Sequence, residues 1–204
     1  LSLPKVAFTM SRINPFERRN GVGKKRWYEK IGTNYTGATE AQLRGNYDSL
    51  SNGSEQFNNI LRTGMQHNVG VSTSERVFTY FSINPSVQYT SKWYRSILDY
   101  QYNDDNQLLV DTISGFALTN EFSASVDLST KLYGTFNYRK GKIKAIRHMM
   151  TPTIGMSYRP DYSDDFWGSY QHLTDTSGKE VVISRFNGYL YGGNSAGKSG
   201  LITM

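Results

Sequence analysis

The feature that most constrains this chain is alternation. Apolar side chains recur at every second position through six segments, yet no uninterrupted apolar run exceeds three residues, as at Leu108-Leu109-Val110. The clearest case sets Phe81, Ile83, Pro85, Val87, Tyr89 and Trp93 against Tyr80, Ser82, Asn84, Ser86, Gln88 and Thr90. Phe122, Ala124, Val126, Leu128 and Leu132 oppose Ser123, Ser125, Asp127, Ser129 and Lys131, and Met150, Pro152, Ile154, Met156 and Tyr158 oppose Thr151, Thr153, Gly155, Ser157 and Arg159. Period 2 is the geometry of a strand with two unlike faces. The pattern predicts strands near residues 4–12, 26–38, 64–73, 78–102, 116–137 and 145–159, with a weaker one at 185–191. Long loops are expected at 39–63, 103–115 and 160–184, and 55–63 is a candidate for a short polar helix. A membrane-spanning helix needs about 20 apolar residues and a signal peptide needs an apolar core. Neither is present, and Leu1 is therefore not expected to open an unprocessed secretory precursor.

Hydrophobic residues make up only 37% of the chain, which would suit disorder, but 15 Tyr, 10 Phe and 3 Trp argue for an ordered fold. The lack of cysteine excludes a disulfide framework and thiolate metal sites. No metal-ligand spacing is present and no cofactor is expected.

Alternation does not say which solvent the apolar face meets. A soluble β-sandwich is the bland solution. Three features favour an antiparallel transmembrane β-barrel. The polar faces carry Ser, Thr, Asn, Gln and Gly with few charges, whereas soluble surfaces are richer in Lys and Glu. The strands are long against a usual five to six residues. Phe81 and Trp93 bracket an apolar stretch of roughly 40 Å at ~3.3 Å per residue, which at a tilt of ~35–45° projects to about 28–32 Å. That matches an apolar band edged by aromatic girdles. The fold expected is all-β, a fragment of about seven to eight strands from a larger barrel. Phe81, Val87, Val126, Leu128, Ile154 and Met156 are expected to face lipid, and Ser82, Asn84, Ser86, Ser125, Asp127 and Ser157 the lumen. Such a fragment is not expected to close on itself.

The connections differ in length and charge. Residues 73–77 and 138–144 are short and 14–25 is somewhat longer and basic; these would lie on the periplasmic side, the long loops on the other. Eleven of the 23 bases gather on the short side: Arg18, Arg19, Lys24, Lys25, Arg26, Arg76, Arg139, Lys140, Lys142, Lys144 and Arg147. Asp48, Glu55, Asp104, Asp105, Asp111, Asp161, Asp164, Asp165, Asp175 and Glu180 lie in the long loops. Two readings stand side by side. These are solvated turns, or the bases form a rim that meets phosphate and the acids bind divalent cations. Arg139, Lys140, Lys142, Lys144 and Arg147, with no acid among them, are the candidate site. The net charge of +6 comes without a nucleic-acid-binding motif, and no nucleic-acid partner is expected.

Three motifs carry less than they promise. Gly192 to Ser199 matches G-x-x-x-x-G-K-S literally, but a phosphate-binding loop needs a helix after it, and only five residues follow. Hairpin chemistry explains the glycines better. His67 and His148 share parity with apolar neighbours, which suits anchoring near a membrane interface. No serine is placed to pair with a histidine, as a lipid hydrolase would require. Pro85 and Pro152 lie inside strands and remove ladder hydrogen bonds, marking either bulges or weak seams.

Several segments in order resemble one family: Ile13-Asn14-Pro15-Phe16, Lys25-Arg26-Trp27-Tyr28-Glu29-Lys30-Ile31-Gly32, Asn84-Pro85-Ser86, Lys92-Trp93-Tyr94, Gly115-Phe116, Ser129-Thr130-Lys131-Leu132-Tyr133-Gly134, Ala145-Ile146-Arg147-His148, Thr151-Pro152-Thr153, Ser157-Tyr158-Arg159-Pro160-Asp161, and Tyr191-Gly192-Gly193 with Gly197-Lys198-Ser199-Gly200. The set resembles the Bacteroidota branch of the LptD family, the OstA-like outer-membrane proteins of lipopolysaccharide (LPS) assembly. The resemblance implies a larger protein with a periplasmic jelly roll and a large barrel plugged by an LptE-like lipoprotein. It also implies delivery of LPS by periplasmic Lpt bridge proteins and release into the outer membrane through a lateral seam. The expected function is therefore non-enzymatic LPS translocation by an integral outer-membrane barrel, in contact with outer-membrane lipids. A passive porin or ligand-gated transporter is the alternative, and an outer-membrane lipid hydrolase a weaker one.

Overall fold

A computed structural model describes residues 5–43, 61–141, 143–175 and 177–203. The strands in chain order are β1 (Val6–Ile13), β2 (Gly32–Leu43), β3 (Leu61–Ser72), β4 (Glu75–Val77), β5 (Phe81–Tyr102) and β6 (Leu108–Thr130). They continue with β7 (Leu132–Asn137), β8 (Ala145–Met150), β9 (Thr153–Arg159), β10 (Tyr170–Thr174), β11 (Glu180–Ser184) and β12 (Ser199–Thr203). One antiparallel sheet runs β1-β2-β3-β5-β6-β9-β12, with β4 also on β5; β7-β8 and β10-β11 form two small hairpins. The fold is all-β and antiparallel. Among the described residues β1 pairs only with β2 and β12 only with β9, so the sheet is open.

The two prolines explain where strands break. β3 and β4 hold one register against β5, from Ser72 opposite Ser86 to Glu75 opposite Ile83. The gap between them faces Pro85, which has no N–H to give, and Thr73 N–H donates to the Pro85 carbonyl at 3.2 Å. In the same way β6 and β7 keep one register against β9 and β8, and the gap lies at Pro152, whose carbonyl accepts from Thr130 N–H at 3.2 Å. Both prolines mark weak pairing without a register shift. The bulges lie elsewhere, between Met10 and Ile13 and between Tyr94 and Ser96.

The structure corrects several expected boundaries. Residues 26–38 do not form one strand: Trp27–Lys30 is a 3-10 turn, because Glu29 accepts from the Arg26 backbone N–H at 2.6 Å and pairs with Arg18. Residues 73–77 are mostly β4, and the reversal falls at 78–80, where Phe78 and Thr79 take positive φ. The expected loop 103–115 shrinks to a tight turn. Asn103 Oδ1 accepts from Gln107 N–H at 2.7 Å, Asn106 sits at φ 58, and β6 begins at Leu108. The expected strands 116–137 and 145–159 are each split at the Pro152 seam. Loop 160–184 contains β10 and β11. Residues 185–191 form successive turns, closed by Asn187 N–H to Ser184, Tyr189 N–H to Phe186 and Gly192 N–H to Tyr189. Within loop 39–63, β2 reaches Leu43 and β3 starts at Leu61. Residues 44–60, with Asp48, Glu55 and most of the candidate helix 55–63, lie outside the described residues.

Candidate functional site: a two-faced sheet with a segment folded across it

The registers place the apolar-parity residues of β3, β5, β6 and β9 on one side of the main sheet. Pro85, Val126 and Met156 lie side by side across β5, β6 and β9, and Ser86, Ser125 and Ser157 lie one step along on the opposite side. Exposure is inverted relative to a water-soluble sheet. Met156 is 61% exposed, Phe8 62% and Ile154 52%, while Ser86, Ser125, Asp127 and Ser157 are half-buried. An apolar surface this continuous across six strands exceeds the patches soluble monomers carry. Beyond Trp93 it becomes mixed: the same side of β5 carries Arg95, Ile97, Asp99 and Gln101.

A row of rings marks that edge. Phe8, Tyr35, His67, Trp93 and Phe116, from β1, β2, β3, β5 and β6, follow one another at centroid separations of 6.0, 6.1, 4.4 and 5.8 Å. The Tyr35 hydroxyl lies 2.7 Å from His67 Nδ1. Gly37 permits this arrangement, because a Cβ there would sit 2.6 Å from the Tyr35 hydroxyl.

The opposite face is a hydrogen-bonded polar ladder. Thr90 donates to Asn68 Oδ1 at 2.8 Å, Gln66 donates to the same oxygen at 3.1 Å, and Asn68 donates to Thr36 at 3.3 Å. Residues 160–198 fold across its upper part. Phe186 and Tyr189 pack with Tyr94, Leu98 and Tyr100 to make the buried apolar cluster. Lys92 Nζ is buried, faces Glu121 at 3.4 Å and donates to the Gly193 carbonyl at 2.9 Å. Tyr94 donates to the Gly192 carbonyl at 2.7 Å, Tyr170 donates to the Asn194 carbonyl at 2.6 Å, and Asn194 Nδ2 donates to the Asn120 carbonyl at 2.7 Å.

These contacts dispose of the nucleotide motif. A phosphate loop presents N–H groups to its anion. Here the carbonyls of Gly192, Gly193 and Asn194 point inward as acceptors, and a strand follows rather than a helix. The Gly197 N–H is already given to Asp161, 2.9 Å away. The Ser163 hydroxyl and amide together with that Gly197 amide hold the Asp161 carboxyl below its usual range. Among the described residues no cluster of three metal-ligating side chains exists, and the acidic loops form no cation site there.

His172 ties the β10-β11 hairpin to this segment. Its Nδ1 lies 2.9 Å from Glu180 Oε1, its Nε2 2.8 Å from the Ser163 carbonyl, and Asp165 is 3.5 Å away. Both hydrogen-bond partners only accept, so only the imidazolium satisfies both. Glu180 first, then the Ser163 carbonyl, raises the pKa above 6.5. The folded form is the one with the raised pKa, so this contribution is fully present below pH 6.5 and is lost as pH rises through the folded value. NMR titration is expected to place His172 above 6.5, and Glu180→Gln to return it toward that value. An unchanged midpoint in Glu180→Gln would refute the contact.

The candidate basic residues lie where the chain reverses between β7 and β8. Arg139 and Lys140 are exposed in the turn, Lys144 precedes β8, and the Arg147 guanidinium lies 5.1 Å from the Tyr133 ring centroid. Lys142 lies outside the described residues. In the β1–β2 connection, Arg18 pairs with Glu29, Lys25 with Glu17, and Lys30 reaches Glu75 on β4 at 2.7 Å. Arg19, Lys24, Arg76, Arg139, Lys140, Lys144 and Arg147 have no carboxylate partner among the described residues. Reading by sequence missed Lys92, Glu121 and Tyr162; a lysine at polar parity beside Trp93 was the available signal for the first.

No curated protein and no solved structure matches the chain. The family model described as LptD protein matches it over residues 1–204, and the chain accordingly belongs to the LptD family of outer-membrane, lipopolysaccharide-transport proteins.

Proposed function

We propose that this chain is a stretch of outer-membrane β-barrel wall through which LPS moves toward the outer leaflet. The observation that carries the reading is the inverted sheet, with its exposed apolar side ending at a row of rings and its polar side uncharged but for a few residues. In hydrocarbon a spanning sheet must satisfy its backbone internally and show lipid an apolar face. The open edges at β1 and β12 would then pair with further strands of the barrel. The polar side would line the lumen, where sugars and phosphates pass without binding too tightly to leave. The family is not an enzyme family, and transport rather than catalysis is the role proposed.

The connections at residues 14–31, 78–80 and 138–144 share one end of the sheet, and the 103–107 turn and residues 160–198 the other. The unpaired bases of the first end would form a periplasmic rim for lipid A phosphates, delivered by Lpt bridge proteins. An LptE-like lipoprotein would fill lumen beside the polar face. Exposed contacts of this kind are screened over about 8 Å at physiological ionic strength. Neutralising Arg139, Lys140, Lys142, Lys144 and Arg147 together is therefore expected to weaken LPS delivery most at low salt, without loss of folding. Photo-crosslinkers at Lys140 and Lys144 in cells are expected to capture LPS or a periplasmic Lpt component. Capture by the long loops alone would reverse the assigned sidedness. Conductance that is steady and insensitive to LPS would mark a passive porin instead.

A further inference from the structure

The main sheet contains a fork. β3 pairs with β5 only as far as Gly64 opposite Tyr94. Beyond that level β2-β3 pairing continues to Leu43 opposite Leu61, and β5-β6 pairing continues to Tyr102 opposite Leu108. The two hairpins therefore diverge. The bulge between Tyr94 and Ser96, opposite Gly115 at φ 152, adds the local twist that turns β5-β6 away.

Two cavities meet in this fork. One, of about 600 Å³, is polar and is lined by Arg62, Thr63, Arg95, Ser96, Ser114 and Tyr189 among others. The other, of about 350 Å³, is lined by Ala41, Met65, Trp93 and Phe116 among others. Thr63, Tyr94, Arg95 and Phe116 belong to both. Strand parity brings Arg62 to the fork from the polar side and Arg95 from the apolar side. The Arg62 guanidinium is steadied 5.5 Å from the Tyr189 ring centroid. Neither arginine has a carboxylate partner among the described residues. Glu40, at the cleft wall, is already engaged by Lys5 at 3.5 Å and by Gln42 Nε2 at 2.8 Å.

We propose that the fork between β3 and β5 holds one phosphorylated acyl lipid, its phosphate on Arg62 and Arg95 and an acyl chain in the cleft against Met65, Trp93 and Phe116. The proposal rests on the reading that the apolar side meets membrane. Guanidinium groups give planar, charge-assisted donors suited to phosphate oxygens. A free phosphate would use only the arginines, and an uncharged lipid only the cleft. The adjoining pair of cavities fits a molecule that is both, at the level where the ring row marks the edge of the apolar band.

The test uses the full-length protein in phosphatidylcholine nanodiscs, with a trace of phosphatidic acid carrying a diazirine near its acyl terminus. After photolysis, labelled peptides are quantified. Label is expected to concentrate on the peptides holding Met65, Trp93 and Phe116 over those holding Val126 and Met156. Arg62→Gln/Arg95→Gln is expected to lower that local labelling about tenfold, the scale of a lost charge-assisted contact, and to leave Val126 and Met156 labelling unchanged. Arg95→Gln alone, at an exposed position, provides a second variant should the double variant not fold. The diazirine diacylglycerol is expected to show no enrichment. Even labelling of the whole apolar side, unaffected by the arginine changes, would overturn the fork site and leave the membrane-wall reading standing. Absence of label from both groups of peptides would overturn the wall reading and this site with it.

Discussion

An arginine at Val126 is expected to cost about 2–4 kcal/mol of folding free energy in a bilayer if that position lies near the midplane, and an arginine at Ser86 much less. Val126 lies between Pro85 and Met156 on the exposed apolar side. Ser86 is one step along β5 on the other side, where its hydroxyl shares a hydrogen bond with Ser125 at 2.8 Å. The two positions lie on neighbouring strands one register step apart, and what differs is the solvent offered to the same guanidinium. On the wall reading, the charge at Val126 must snorkel or drag water into hydrocarbon, whereas at Ser86 it joins a polar side that already accommodates Lys92 and Arg159. Ile154→Arg is expected to behave as Val126→Arg does. The measurement is reversible folding of the full protein into phosphatidylcholine vesicles across a denaturant series. Equal destabilisation by Val126→Arg and Ser86→Arg would show that both sides meet water, and the wall reading would fall.

The same pairs show why the sheet is legible in the sequence. From Phe81 to Trp93 nothing shifts the register, so parity in the sequence is parity in space. The proline seams leave it intact because they delete a hydrogen bond without inserting a residue. Parity fails where a local hydrogen bond outbids the ladder. Glu29 gathers Arg18 and the Arg26 amide and curls Trp27–Lys30 into a 3-10 turn that mimics alternation. Between 185 and 191 the buried aromatics are Phe186 and Tyr189, three apart, which is turn spacing read as a weak strand. The bases Arg139, Lys140, Lys144 and Arg147 were visible as composition, but composition carries no partner, and the ring of Tyr133 that Arg147 meets lies on the facing strand fourteen residues earlier. Least legible was the segment across the polar face. Its anchors join Lys92 to Gly193 and Tyr94 to Gly192, residues about a hundred positions apart with no pattern linking them.

That segment has one anchor whose removal is expected to release it. β9 leaves β6 after Tyr158 opposite Ala124, so the β6 backbone at Phe122 has no strand beside it on that side. Tyr162 takes the place of the missing strand. Its hydroxyl donates to the Phe122 carbonyl at 2.6 Å and accepts from the Phe122 N–H, while its ring is fully buried against Trp167 at 4.9 Å. A single hydroxyl can serve both backbone groups because it carries a donor and two lone pairs. Tyr162→Phe keeps the packing and deletes both bonds, leaving the Phe122 N–H and carbonyl without their partner under the ring, at a cost of about 1–3 kcal/mol. Tyr162→Ala also opens a cavity, for about 3–5 kcal/mol in all. Hydrogen exchange reads the two effects separately. In Tyr162→Phe the Phe122 amide is expected to exchange roughly 5- to 150-fold faster, with protection elsewhere in β6 retained. In Tyr162→Ala the amides of β10 and β11 are expected to lose protection as well, and residues 160–198 to become cleavable by added protease. If Phe122 exchanges at the same rate in Tyr162→Phe as in the unaltered protein, the hydroxyl does not stand in for a strand, and the segment must be held by the Lys92, Tyr94 and Asn194 contacts alone.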